Sequence, residues 1–319
     1  MAPPRRLLPW IGCGVIAVLY LTLAFRCAFV MSETLDERGQ LPLGLRLLQS
    51  GSFEELVSHG TPPLPVLATV CLPALLAPDT PPESVAFLLL RRGINIVLFG
   101  LPLVVALFVA LDRFGGWVLA SAGAGLLAFS PMFLAHSAIA ATDVCAACCL
   151  FLALLGIIRY TEAPGMARLA GCAVGVGLAA AAKQSTLILL AVLALAIWNS
   201  AGTRRRRIAT VSGAVLVALA VDWAMYGFHV TTLTADAPWR PKFNSFAAGP
   251  LRDALRWLGT SVLLPAPVVS TVVQVVHNKI GHWTYFLGEA RQTGSLVYWP
   301  VVFGVKSTVA ELLLAALAL

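Results

Sequence analysis

Hydrophobic positions run almost unbroken along this chain, in blocks separated by short polar breaks. The first block, residues 7–30, exceeds the roughly 20 apolar residues that one helical crossing of a bilayer consumes. Further apolar runs fall at 62–77, 85–111, 117–135, 144–158, 169–182, 186–198, 208–228, 258–276 and 296–319. The pattern predicts membrane helices with no soluble domain left between them. The polar stretch 32–61 stands apart, holding Glu33, Asp36, Glu37, Arg38, Arg46, Glu54, Glu55 and His59. Within it Leu41, Leu45, Leu47 and Leu48 recur at helical spacing beside Arg46 and Gln49, predicting a short helix along the membrane surface.

Composition narrows the class. Of 319 residues 59% are hydrophobic and 12% charged, with a mean hydropathy of +0.87. A soluble domain would carry about 25% charged residues, so the chain reads as one polytopic unit, 1–319. The 22 Lys+Arg exceed the 15 Asp+Glu, for a net charge of +7. These cations lie between apolar runs and not on one soluble face, which excludes nucleic acid as a partner and points to topology signalling with anion binding. All seven cysteines lie in apolar stretches, and Cys145-x-x-Cys148 lacks the second ligand pair of a zinc site, so they read as packing residues.

Arg5 and Arg6 precede the first run as in a signal peptide, but the run is too long and no small-residue cleavage site follows. A first helix with its arginines inside fits better. Thr203-Arg204-Arg205-Arg206-Arg207 is the strongest topological marker, because short arginine-rich loops stay cytoplasmic. If every run crossed, these arginines would end outside. If 62–77, with Pro62, Pro63, Pro65 and Pro73, does not cross, then Asp36, Asp143 and Lys183 gather outside and the arginines return inside.

An ionisable group in the bilayer costs about 2.5–3.5 kcal/mol on insertion scales, so each one near a span needs a reason. Asp36-Glu37 is either a solvated acid pair or a catalytic one. Asp143 is either an N-cap or a functional acid. Lys183 either snorkels at a hairpin or meets a substrate. Arg91-Arg92 could anchor at the interface, and Asp222, the most deeply placed acid, has ion pairing and a substrate role as its two readings. No Walker motif, nucleotide-binding glycine fingerprint, HExxH or acidic metal cluster is present. No cofactor or metal is therefore expected, although His59 near Asp36 leaves a divalent ion open.

Taken in order, these segments resemble a known family: Asp36-Glu37 in LDERGQLPLGLRLLQSGSF, then Pro62-Pro63-Leu64, Arg91, SPMFLAHSAIAATDV with Asp143, AAAAKQSTLILL with Lys183, and GHWTYFLGEARQTGSLVYWPVVFGVKST. The set is similar to membrane glycosyltransferases of the GT-C fold, specifically glycosyltransferase family 39 with its protein O-mannosyltransferase-like and aminoarabinose-transferase-like relatives. The resemblance implies an all-α, polytopic, GT-C-like protein whose large non-cytoplasmic first loop carries short interfacial helices. It implies inverting transfer of a sugar from a polyprenyl-phosphate donor to a protein or lipid acceptor on the outer side of the plasma membrane, among membrane lipids.

By the same resemblance Asp36, or failing it Glu37, is the catalytic carboxylate, and Asp143 is the second acid. Lys183 and one of Arg91 or Arg92 would lie near the carrier phosphate. His282, Tyr285, Glu289 and Lys306 belong to the late substrate-binding block. Thr61 stands where the family often has His or Lys before Pro-Pro, and the chain stops within an apolar run at Leu319, which reads as a C-terminal truncation. The rival class is a membrane transporter or lipid-carrier flippase, with Asp222, Lys183 and Lys306 along its path; no inverted repeat supports it. An inactive truncated relative is the third alternative.

Overall fold

In α1 (Leu7–Val30) the residues Cys13, Ile16, Tyr20, Ala24 and Ala28 recur every three or four positions and are buried, while Leu7, Trp10, Ile11, Val15 and Val18 are exposed. One stripe packs on the protein and the remaining apolar faces do not. At 24 residues the helix is about 36 Å long, more than the ~30 Å hydrocarbon thickness. The computed structural model describes residues 7–200, 202–233, 257, 259, 261–280, 284–291 and 295–318, and it is mostly helical. Among the described residues, four helices are long and apolar enough to cross a membrane: α1, Val85–Phe129, Thr142–Glu162 and Arg204–Met225. In the last of these only 17% of the apolar window is buried within the protein, so its outer faces suit lipid.

Between α1 and the second long helix lie α2 (Leu35–Ser50), α3 (Glu54–Ser58) and α4 (Pro63–Leu76). Thr34 starts α2 with a reciprocal capping box, its hydroxyl accepting from Glu37 N–H while the Glu37 carboxylate accepts from Thr34 N–H. Of the leucines of α2, Leu43 and Leu47 are buried against Leu56, Val66 and Val70 of α3 and α4, Leu41 and Leu45 pack beside them, and Leu48 is exposed. The 14 residues of α4 span about 21 Å, short of a crossing. Thr61 and Pro62, just before it, share a cavity with Asp36, and Glu83 and Ser84, just before the next helix, share a cleft with Ser32 and Glu33.

Helix α5 (Val85–Phe129) reverses at Gly116, whose φ of 76° a residue with a side chain rarely adopts. Its two arms lie side by side, with Leu111 of the first against Gly123 of the second. Next come α6 (Pro131–Ser137), α7 (Thr142–Glu162), α8 (Met166–Ala182), α9 (Gln184–Trp198) and α10 (Arg204–Met225). One core joins α1 to both arms of α5, and a second joins α7, α8, α9 and α10. Beyond α10, β1 (Val230–Thr231) pairs antiparallel with β2 (Leu264–Pro265), which leads into α11 (Ala266–Ile280). A hairpin of β3 (Thr284–Phe286) and β4 (Glu289–Arg291) precedes α12 (Tyr298–Lys306) and α13 (Val309–Ala318).

The bundle therefore has two chemically distinct ends. One carries Asp36, Glu37, Arg92, Asp143 and Lys183. The other carries Arg113, which pairs with Glu162 at 2.6 Å, together with Arg168 and the arginines that open α10. The cysteines are free thiols inside or beside the helix cores, and Cys145 and Cys148 pack with Phe99 and Leu103.

Candidate active site

The adjacent acids Asp36 and Glu37 sit on opposite faces of the first turn of α2, and their surroundings differ completely. Glu37 is fully buried and takes five hydrogen bonds: from Thr34 N–H and hydroxyl, Arg92 Nε and Nη2, and Ala140 N–H, at 2.8–3.0 Å. Burial pushes its pKa up, but the Arg92 fork and the Ala140 and Thr34 donors outweigh that and hold it below its ordinary value. A carboxylate offers about four lone-pair sites, so this one is saturated. Glu37 is thus a structural hub and has no site left to act as a base.

Arg91 and Arg92 share its fate. Arg92 also donates to the carbonyls of Ala28, Met31 and Ser32, which with Glu37 uses all five of its N–H groups. Arg91 donates to the carbonyls of Thr69 and Glu37. Each is 1% exposed, and neither lines the cavity that holds Asp36. Helix geometry explains the pair: two inward arginines on α5 meet the carbonyls that α1 and α4 leave open at helix ends and at a π-type turn.

Asp36 is exposed and, among the described residues, has no hydrogen-bond or ion-pair partner. It lines a cavity of about 780 Å³ with Gln40, His59, Lys183, Gln184 and Gln274, drawn from α2, the α3–α4 turn, the start of α9 and α11. His59 donates Nδ1–H, in the tautomer protonated there, to the Glu55 carbonyl, 2.8 Å away. Gln184 ties the walls together, its amide donating to the Gly60 carbonyl and to Ser270 Oγ, each at 3.0 Å, while Tyr226 donates to the same Ser270 Oγ. Gly60 has φ of 66°, and a Cβ there would lie 3.1 Å from Val273 and 3.2 Å from the Gln274 nitrogen.

Lys183 Nζ donates to Asp143 Oδ1 at 2.7 Å, and His136 Nδ1 lies 3.3 Å from Asp143 Oδ2. All three side chains are a little under half exposed. Lys183 thus faces the cavity holding Asp36 while its other side meets Asp143. The Asp143 carboxylate does not cap its helix, whose N-cap residue is Ala141. Asn95 fixes the preceding turn, donating to the Ser137 and Ile139 carbonyls.

Three contributors, His136, Asn95 and Gln184, were not singled out from sequence; the first lies seven residues before Asp143, the one spacing that could have flagged it. Asp222 is buried on α10 and does not line the Asp36 cavity. Tyr285 and Glu289 lie exposed on the β3–β4 hairpin and Lys306 is exposed at the end of α12; none lines the Asp36 cavity. His282 lies outside the described residues. Among the described residues no group of three His, Cys, Asp or Glu could hold a metal. No protein-family model matches this chain, and no curated protein or solved structure matches it.

Proposed function

We propose that this cavity transfers a sugar from a polyprenyl-phosphate donor to a hydroxyl acceptor, as a GT-C-like glycosyltransferase. The observation that carries the reading is a carboxylate without a partner among the described residues, Asp36, and an ammonium, Lys183, lining one cavity at the end of a bundle of membrane-length helices. Asp36 would accept the acceptor's hydroxyl proton as the acceptor oxygen bonds to the anomeric carbon. The bond from that carbon to the phosphate oxygen breaks on the opposite face, so configuration inverts and the lipid phosphate leaves with the electron pair.

Lys183 suits the leaving phosphate because an ammonium has three N–H donors and Asp143 takes one of them. His136, when protonated, adds a second cation to the same corner. A lipid-borne donor reaches such a corner laterally, and a charge-assisted contact there strengthens as negative charge gathers on the phosphate. In this reading the acid-bearing end faces the non-cytoplasmic side, with the α10 arginines in the cytoplasm. The acceptor is a protein or lipid hydroxyl.

The test is transfer in reconstituted vesicles from a panel of radiolabelled polyprenyl-phosphate sugars. Wild type should transfer at least one of them to an added hydroxyl acceptor or to water, and Asp36→Asn should not. A full panel without transfer by wild type would remove the reading.

A further inference from the structure

At the bundle end remote from Asp36, a cavity of about 220 Å³ lies between the α7–α8 turn and the α9–α10 turn, lined by Tyr160, Gly165, Ser200, Arg206, Arg207 and Thr210 among others. Of the four arginines that open α10, Arg206 and Arg207 line it and Arg204 and Arg205 do not; Arg207 is half-buried and the other three are exposed. A cytoplasmic anchor would need only their charge. The geometry asks for more.

No carboxylate lines this cavity, and among the described residues none of the four arginines is ion-paired. The Nε of Arg207 is buried without a hydrogen-bond partner, a costly arrangement for a guanidinium N–H in the absence of an acceptor. Ser200 and Thr210 donate their hydroxyl protons to the carbonyls of Ile197 and Arg206, at 2.6 and 2.8 Å. The two guanidiniums are therefore the charged donors left to the space, beside the Tyr160 hydroxyl. Helix α8 starts beside it at Met166 with Gly165 as N-cap, so no side chain caps its first-turn N–H groups. The charged groups that line this space are both cations, and what complements them is an anion with several acceptor oxygens. The volume falls below the roughly 300–1,000 Å³ of a small-molecule pocket, which favours a phosphate group over a whole nucleotide.

We propose that this cavity is a phosphate site, taking either the phosphodiester of an anionic lipid headgroup or a free phosphate, through Arg206 and Arg207. The proposal does not rest on sugar transfer. The experiment is calorimetric titration of the purified full chain in neutral detergent with inorganic phosphate and, separately, with short-chain phosphatidylglycerol, phosphatidylcholine serving as control. Arg206→Gln/Arg207→Gln should weaken binding by at least about tenfold, the loss expected from one charge-assisted contact. Arg204→Gln/Arg205→Gln removes the same charge and should change it less than about threefold. Arg206→Lys/Arg207→Lys keeps the charge and loses the fork, so it should also weaken binding, and it gives the reading if the Gln pair does not fold.

Phosphatidylglycerol binding without a phosphate response assigns the headgroup, and the reverse assigns a soluble ion; both support the site. Equal losses in the inner and outer pairs would reduce it to diffuse basic attraction and overturn the proposal. So would wild type binding neither probe more tightly than phosphatidylcholine.

Discussion

Glu37 Oε1 accepts a 3.0 Å hydrogen bond from the backbone N–H of Ala140, three residues before Asp143. That single bond couples the turn carrying Asp36 to the turn carrying Asp143 and Lys183's partner oxygen. The same carboxylate holds Arg92, and through it the C-terminal end of α1. The two walls of the cavity are thus positioned by one buried ion pair that faces neither of them.

Asp36→Asn keeps size and much of the hydrogen bonding but removes basicity. Transfer should fall about 100-fold or more, with insertion and thermal stability unchanged, because Asp36 has no partner among the described residues to lose. Parallel turnover and melting measurements check this. Loss of activity in Glu37→Gln with retention in Asp36→Asn would reverse the assignment.

Breaking the hub should cost far more stability than any surface pair. Glu37→Gln strands a buried Arg92 and is expected to destabilise by about 3–5 kcal/mol, while Glu37→Gln/Arg92→Met should cost less than the sum of the single changes. The pH sign follows from the lowered pKa. The unfolded glutamate sits near 4.5, so the stabilisation is fully present above that value and is lost as pH falls through the lower folded-state value. Unfolding curves of wild type should steepen with acid in that window, and those of Glu37→Gln should lose that component.

For Lys183 two magnitudes separate anchoring from binding. Its pair with Asp143 is nearly half exposed, and such pairs contribute about 0–1 kcal/mol, so Lys183→Met should leave melting almost unchanged. As a phosphate ligand it should cost roughly 10- to 150-fold in affinity for a soluble short-chain polyprenyl phosphate. Titration of both proteins decides the matter, and equal affinities would return Lys183 to a helix anchor.

Sidedness can be read in whole cells with a membrane-impermeant maleimide. Glu83→Cys, exposed at the acid-bearing end, should label directly, and Arg204→Cys only after permeabilisation. The reverse pattern would place the proposed site in the cytoplasm.

Gly60→Ala should both strain the backbone at φ of 66° and press on Val273 and Gln274. A loss of about 1–3 kcal/mol is expected, with weakened substrate affinity because the Gly60 carbonyl shifts away from Gln184. Denaturation and binding isotherms of the variant test the two parts separately.

Hydrophobic periodicity made the helices legible, and the prolines of α4 made it legible that this apolar run forms a helix shorter than one crossing needs. Sequence could not tell Asp36 from Glu37, because a one-residue step on a helix turns a side chain by about 100°, and what decides burial is Arg92, 55 positions away. One of Arg91 or Arg92 reads as a phosphate ligand for the same reason: a free guanidinium and one bonded to buried carbonyl or carboxylate oxygens look identical in a string of letters. His136 and Gln184 acquire roles only through contacts to Asp143, Gly60 and Ser270, which no local pattern announces.

The Gln184 amide that joins Gly60 to Ser270 also imposes an order on biogenesis. Its two acceptors lie on either side of it in the chain, and 86 residues separate Gln184 from Ser270. At about 5–20 residues per second of synthesis, Ser270 follows Gln184 off the ribosome by roughly 4–17 s. During that interval the first wall, its carbonyl and the Gln184 amide are already made while the last wall is still untranslated. For those seconds the Gly60 carbonyl and the Gln184 amide exist without the α11 wall to which Ser270 belongs.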